Sequence, residues 1–118
     1  MSAVKRLRMY IVLRADLSPT AAFIAYGHAT LGTYLTWRDD PVMQDWQRTS
    51  FIKIALAVAD LRELTWAQGL GEHRVFTESS LGNAVTCLGF RVVEQPDPRF
   101  RTLRPWVQGL VHPAAPSA

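Results

Sequence analysis

Two short stretches hold the residues whose types and spacing best suit chemistry. AYGHATLG places one histidine, His28, among small and apolar residues, and TESSLGN carries an acid, three hydroxyls and an asparagine. An imidazole titrates near neutral pH and can act as a general base when a carboxylate or hydroxyl orients its ring. The candidates for that orienting group are Glu78, Thr77 and Asp16. The first hypothesis is therefore acid–base catalysis at His28.

The competing interpretation gives His28 a structural role only. Ile24, His28, Leu31 and Leu35 follow the three- and four-residue spacing of one helical face. A histidine on such an apolar stripe often bonds a backbone carbonyl and packs in a core. The neighbouring Gly27 costs a helix about 1 kcal/mol relative to alanine. Close backbone packing or access to the imidazole would offset that cost.

Other site chemistries find little support in the sequence. There is no P-loop and no dinucleotide fingerprint after the first strand, and no G-x-S-x-G elbow surrounds Ser79 and Ser80. The three histidines lack the spacing of a helical zinc pair. The single Cys87 excludes an internal disulfide, and its apolar surroundings in AVTCLGF are typical of a buried, inert thiol. We expect neither a metal nor a cofactor.

The charge pattern fits an anionic partner. The chain has a formal charge of +3, and all of its basic residues except Lys5 and Lys53 are arginine. Guanidinium groups match the geometry of phosphates and carboxylates. Three of them, Arg99, Arg101 and Arg104, fall within six positions. RNA is one such partner, and a solvated arginine-rich surface explains the pattern equally well.

The order of predicted elements defines the fold class. The hydrophobic patterns predict strands at 8–14, 51–58, 73–78 and 84–93, helices at 19–37 and 41–48, and a final helical turn at 98–103. A third helix is predicted to be capped by Asp60 and to end at Gly69 or Gly71. This order predicts a single-domain α/β three-layer sandwich, a four-stranded mixed sheet with helices on both faces. The last two strands would pair as a hairpin through SSLGN. The domain spans 8–106, between a basic lead-in at 1–7 and a loose tail at 107–118.

The order of elements and the stretch YGHATLG resemble the type II peptidyl-tRNA hydrolase superfamily of archaea and eukaryotes. The first helix of that family carries K-G-K-x-A-A-Q-x-x-H-A-x-x-G, and GHATLG matches its histidine end. FIKIALAVADLRELTWAQGLG matches the middle of the family pattern in kind, and AVTCLGF resembles its last strand. The resemblance extends from Arg8 to Arg104. Asn83 and RFRTLRPW are most similar to bacterial relatives of that superfamily.

The resemblance implies a peptidyl-tRNA hydrolase II-like fold and an esterase that cleaves a peptidyl or aminoacyl ester of tRNA. His28 would activate water, and Glu78 would orient the His28 ring or balance its charge. Thr77 or the backbone amides of Ser79 and Ser80 would stabilise the oxyanion. The residues expected to bind substrate or phosphate are Arg14, Tyr26, Ser79, Ser80, Asn83, Arg99, Arg101 and Arg104.

The sequence departs from the family pattern where the RNA end would bind. Pro19 and Ala21 stand in place of the family lysines, Ala25 stands in place of the glutamine, and TESSLGN stands in place of the family loop D-A-G-x-T. The alternative is therefore a non-hydrolytic tRNA or small-ligand binding module, or an acyltransferase, on the same fold.

Two further expectations concern partners and location. Trp37, Trp46, Trp66 and Trp106 are many tryptophans for one small domain, which predicts a homodimer, although one core and its rim would accommodate them equally well. No apolar run is long enough to span a bilayer, and no signal-like segment follows the charged start. We expect no membrane partner and a cytoplasmic location.

Overall fold

The computed structural model describes residues 6–106. The strands are β1 (Arg8–Arg14), β2 (Ile52–Val58), β3 (His73–Glu78), β4 (Ala84–Phe90) and β5 (Arg104–Pro105), and the helices are α1 (Pro19–Thr36), α2 (Pro41–Arg48) and α3 (Leu61–Ala67). Short 3-10 turns occupy Gln68–Leu70, Ser79–Leu81 and Pro98–Thr102. The α/β class and the presence of each predicted strand and helix are confirmed, although β4 ends at Phe90, three residues before the predicted end at residue 93.

The five strands form one mixed sheet in the order β3-β4-β1-β2-β5. β1 pairs with β2 in parallel, and the other neighbours are antiparallel, including the predicted β3–β4 hairpin. The expected count of four strands is wrong, because Arg104 and Pro105 pair with Ala57 and Leu56 at the edge of the sheet. A two-residue strand leaves no hydrophobic alternation in the sequence, and proline is tolerated only at such an edge.

Alternating residues of β1 divide the core between the two faces of the sheet. Ile11 and Leu13 lie under α1 and α2, whereas Val12 packs with the buried residues of α3. Successive side chains of a strand point to opposite faces, so one buried strand serves both cores. Helices therefore cover both faces, as the sequence predicted.

The α1 helix lies on the sheet through its small residues. Ser18 caps its N-terminus by accepting a hydrogen bond from Ala21 N, and Pro19 begins the helix. The buried positions are Ala22, Ala25, Ala29 and Thr33. The predicted stripe of Ile24, Leu31 and Leu35 lies on the exposed side instead. Small side chains allow a closer approach to the sheet than these aliphatics would.

Two predicted segments fall partly or wholly outside the described residues. These are residues 1–5 of the basic lead-in and the tail from 107 to 118; Leu7, which is described, is buried in the core beneath α1. Among residues 6–106 there is no helix with the length and apolar character needed to cross a membrane.

Candidate functional site

The centre of the candidate site is a pair formed by His28 and Glu78. His28 lies in the middle of α1 and Glu78 ends β3, so the pair joins a helix to the edge strand of the sheet. His28 Nε2 lies 3.5 Å from Glu78 Oε1. The His28 side chain is 56% exposed, whereas that of Glu78 is 17% exposed. The histidine is therefore open to solvent, and its carboxylate partner is the more enclosed of the two.

Glu78 is held in place by the turn that follows it. Both the backbone N–H and the hydroxyl of Ser80 donate hydrogen bonds to Glu78 Oε2, at 3.1 and 2.9 Å. These bonds, assisted by the nearby His28, lower the pKa of Glu78 below its ordinary value. The carboxylate consequently stays ionised into the acid range, and its second oxygen is left to face the imidazole.

The Ser80 hydroxyl gives a test of this arrangement. We expect Ser80→Ala to raise the pKa of Glu78 toward its ordinary value, because one donor to the charged form is removed. A carbon-13 NMR titration of the Glu78 carboxyl measures it. The lowered pKa of Glu78 also stabilises the folded state at pH values above the ordinary carboxyl range. This contribution to folding stability is lost as the pH falls through the lowered pKa. Ser79→Ala is the matched control, and an equal rise in both variants would contradict the assignment.

The remaining residues of TESSLGN shape the loop. Gly82 and Asn83 both adopt the left-handed conformation, with φ of 67° and 61°, and Asn83 N donates to Glu78 O across the hairpin. Asparagine tolerates this conformation better than other non-glycine residues do. Thr77 precedes Glu78 and therefore points to the opposite face of β3. The structure thus brings Glu78 and Ser80 to the imidazole side and explains Asn83 by its backbone.

Arg74 is a residue that sequence reasoning missed. It lies four positions before Glu78 in β3, on the same face, and its guanidinium donates to Thr36 Oγ1 at 3.0 Å and sits 4.9 Å from the Phe76 ring. His28 and Thr36 are two turns apart on α1, so Arg74 lies roughly 12 Å from His28 along the line where α1 packs beside β3. We call this line the α1–β3 seam. The only signal in the sequence was its even spacing from Glu78.

Arg14 and Asp16 are engaged with each other. Arg14 forms two hydrogen bonds to the Asp16 carboxylate, at 2.8 and 2.9 Å, and a third to Val85 O at 3.0 Å. The guanidinium lowers the pKa of Asp16. Of the three groups proposed to orient His28, the structure therefore brings Glu78 to it and pairs Asp16 elsewhere.

Tyr26 lies on the other flank of α1 from His28. Residues two positions apart in a helix are separated by about 200° around its axis, so the side chains of Tyr26 and His28 point to different sides of α1. Tyr26 is half-buried in a groove of about 260 Å³ that it shares with Phe23, Ala55 and Trp106, and burial raises its pKa. The structure does not bring Tyr26 together with His28.

The three arginines near the C-terminal end lie away from His28. Phe100 anchors the turn at 98–102 among the residues that pack against α3. Arg99 pairs with Asp97 at 2.8 Å and its guanidinium lies 5.8 Å from the Trp66 ring. Arg101 is exposed on the same turn and Arg104 lies in β5. The turn that carries Arg99 and Arg101 is therefore separated from His28 by the sheet, and Arg104 lies in β5, at the opposite edge of the sheet from β3.

Cys87 and the other potential ligands form no metal-binding group within residues 6–106. Cys87 is fully buried, its thiol contacts Ala25 O at 3.6 Å, and burial raises its pKa to about 12. The predicted burial of this thiol is confirmed.

Comparison with known proteins gives limited similarity. No protein-family model matches the sequence. Hygromycin-B 4-O-kinase from Escherichia coli is 30% identical to this chain over 83 residues, which cover 64% of the chain and 24% of the kinase. The chain thus spans about a quarter of the length of this curated relative.

Proposed function

We propose that this protein is an esterase of the peptidyl-tRNA hydrolase type, which cleaves a peptidyl or aminoacyl ester of tRNA. The observation that carries the proposal is the exposed His28 facing a carboxylate that the Ser80 turn holds ionised. The supporting context is the α/β sheet with helices on both faces, on which we propose a peptidyl-tRNA hydrolase II-like fold. Because its substrate would be tRNA, we propose a cytoplasmic location.

In the proposed mechanism the two ring nitrogens of His28 have different roles. Nε2 faces Glu78, so it carries the hydrogen, and Nδ1 is the atom that takes a proton from water. The resulting hydroxide attacks the ester carbonyl carbon, and the bond to the ribose oxygen breaks. The proton on Nδ1 then passes to that ribose oxygen. Glu78 stabilises the charged imidazole between these two steps.

Two features of the site refine the roles expected of other residues. Ser80 N–H is committed to Glu78, so it holds the acid rather than the oxyanion. Thr77 faces the other side of β3, which leaves the backbone at Ser79 as the group that we assign to the developing oxyanion. The 3.5 Å separation of His28 and Glu78 exceeds that of a charge-assisted hydrogen bond, and we expect it to shorten when substrate excludes water.

We assign RNA binding at this site to Arg74. Among residues 6–106 it contacts a carbonyl, a hydroxyl and a ring but forms no ion pair, so its charge is available to a phosphate. A nucleotide chain lying along the α1–β3 seam would place its terminal ester at His28 and a phosphate at Arg74. Arg14 and Arg99 are already paired with acids, Arg101 lies on the turn that packs on the α3 side, and Arg104 lies at the edge of the sheet opposite β3.

The alternative is a non-hydrolytic module that binds tRNA or a small ligand, or an acyltransferase on the same fold. Pro19, Ala21 and Ala25 favour it, because they replace polar residues expected to bind the RNA end. The similarity to hygromycin-B 4-O-kinase covers too little of that enzyme to assign phosphate transfer here.

The experiment is a substrate panel with the purified wild-type chain. N-acetyl-aminoacyl-tRNA, aminoacyl-tRNA and uncharged tRNA are incubated separately, and both free acid and tRNA binding are measured at low salt. We expect free acid from at least one ester and binding that weakens steeply with salt. Binding without release of acid would favour the module, and transfer to an added amine would favour the acyltransferase. Absence of both binding and cleavage would overturn the tRNA proposals.

A further inference from the structure

The sequence of α1 is unusual for a helix on a protein surface. Its 18 residues, PTAAFIAYGHATLGTYLT, contain no aspartate, glutamate, lysine or arginine. A surface helix normally carries charged residues on the side opposite its apolar face, and a helix that is apolar all round is normally buried. Only one side of α1 is buried in the chain, so the uncharged composition of the exposed side indicates that a partner covers it.

The outward side of α1 exposes large apolar side chains. Phe23 is 80% exposed, Leu31 is 61% exposed, and Ile24 and Leu35 are each close to half exposed. With 3.6 residues per turn these positions share one half of the helix, opposite the buried alanines. Single exposed apolar residues are ordinary, whereas a contiguous group of this kind marks an interaction surface.

Gly27 lies at the centre of this outward face. A Cβ built at Gly27 would meet no atom within 4 Å, so the chain itself supplies no close contact that requires glycine there. Phe23 and Leu31 lie four residues before and after it, and Ile24 and Thr30 lie three residues before and after it. The missing side chain therefore creates a depression with the large apolar side chains of Phe23 and Leu31 at equal distances along the helix on its two sides.

We propose that a second copy of this chain covers the face, with the two α1 helices crossing antiparallel at Gly27. A two-fold axis through Gly27 pairs Phe23 of each copy with Leu31 of the other, so the same patch is used twice. The absence of side chains at the crossing permits the short end of the usual 8–10 Å interaxial distance. An uncharged surface is best matched by another uncharged surface, which favours the second copy over an acidic or basic partner.

The size of the exposed face determines the affinity that we expect for the dimer. A groove of about 380 Å³ continues the face past Leu31 and Tyr34 to Trp46 and Phe51, and the Lys53 ammonium closes it 3.3 Å from the Phe51 ring. Even with this groove the patch uses fewer side chains than the 20–30 per partner of a standard interface. We therefore expect a dimer with a dissociation constant in the micromolar range.

His28 lies at the margin of this face, about 100° around the helix from Gly27. The second copy would therefore border the α1–β3 seam at His28. The dimer does not depend on the proposed esterase activity, because its evidence is the composition and exposure of α1.

Sedimentation velocity over roughly 1–500 µM, which brackets that range, tests the proposal with three variants of the full chain. Leu31→Glu places a charge on the face, and Leu61→Glu is the matched control, since Leu61 is a similarly exposed leucine on α3 across the sheet. Gly27→Leu keeps α1 intact by improving its helix propensity but fills the crossing point. Circular dichroism confirms that each variant is folded.

We expect wild type and Leu61→Glu to dimerise and the two α1 variants to remain monomeric, because their dimer dissociation constants should rise at least tenfold. Because the face is apolar, raising the salt concentration should not weaken the dimer. A wild-type monomer across the whole range would overturn the proposal and leave the face to another partner. A dimer that survives both α1 changes, or that Leu61→Glu also disrupts, would equally overturn it.

Discussion

Replacing His28 by glutamine should lower kcat for ester hydrolysis by about a hundredfold or more, with little change in KM for the RNA. Glutamine keeps a polar side chain of similar reach but cannot accept and return a proton, and general acid–base assistance is worth roughly this factor. The His28 side chain is more than half exposed on α1, so the substitution should leave the core undisturbed. Initial rates with N-acetyl-aminoacyl-tRNA measure the effect.

His73→Gln is the matched control for this prediction. His73 begins β3 on the other face, where its Nδ1 lies 2.8 Å from Gly71 O and its ring packs beside Phe90. We expect wild-type kinetics from His73→Gln and an intermediate loss from Glu78→Gln, which keeps the shape of the positioning group without its charge. Equal rates for His28→Gln and wild type would remove His28 from the mechanism.

Replacing Gly89 by alanine should destabilise the fold by about 3 kcal/mol, at the upper end of the usual cost of overpacking a core. Gly89 lies in β4 directly beneath α1, and a Cβ there would overlap Thr33 Oγ1 and approach Phe76 Cε2 to 3.1 Å. Both neighbours belong to the buried packing between helix and sheet. Thermal denaturation should show a fall of roughly 12 °C or more for a domain of this size.

A second substitution identifies the cause of that loss. Thr33→Ala removes the overlapping hydroxyl, which has no hydrogen-bond partner among the described residues. The Thr33→Ala/Gly89→Ala double variant should therefore recover part of the stability, by about 1–3 kcal/mol of coupling. Gly69→Ala, where a Cβ meets nothing within 4 Å, should change little. Strictly additive effects of the two changes would refute the close contact.

The elements of this fold were predictable because their signals are local. Ser18 and Asp60 mark the starts of two helices, and both accept the capping hydrogen bonds that their positions predict. Strand β1 reads as a continuous apolar run because both of its faces are buried. β5 was missed because two residues, one of them proline, carry no alternation and pair only once the turn at 98–102 has placed them.

The direction of the helix faces was harder to predict than the helices themselves. The aliphatic stripe of α1 suggested a core face, yet the contact between Thr33 and Gly89 brings the small-residue side against the sheet. That choice depends on a glycine 56 positions away, which no local pattern reveals. The same geometry places His28 beside Glu78. The arginines at 99–104 were grouped by sequence proximity alone, and they lie on the α3-side turn or at the edge of the sheet opposite β3.

The most direct test of the central claim is to observe the His28 ring while a substrate mimic binds. Nitrogen-15 NMR of the histidine imidazoles is recorded as a 3′-aminoacylamido-adenosine, whose amide resists hydrolysis, is added to the wild-type chain. We predict that the largest shift occurs at His28 Nδ1, that the Nε2 signal moves as the contact with Glu78 shortens, and that His73 is unaffected. Saturable binding that leaves both nitrogens of His28 unchanged would contradict the proposed site.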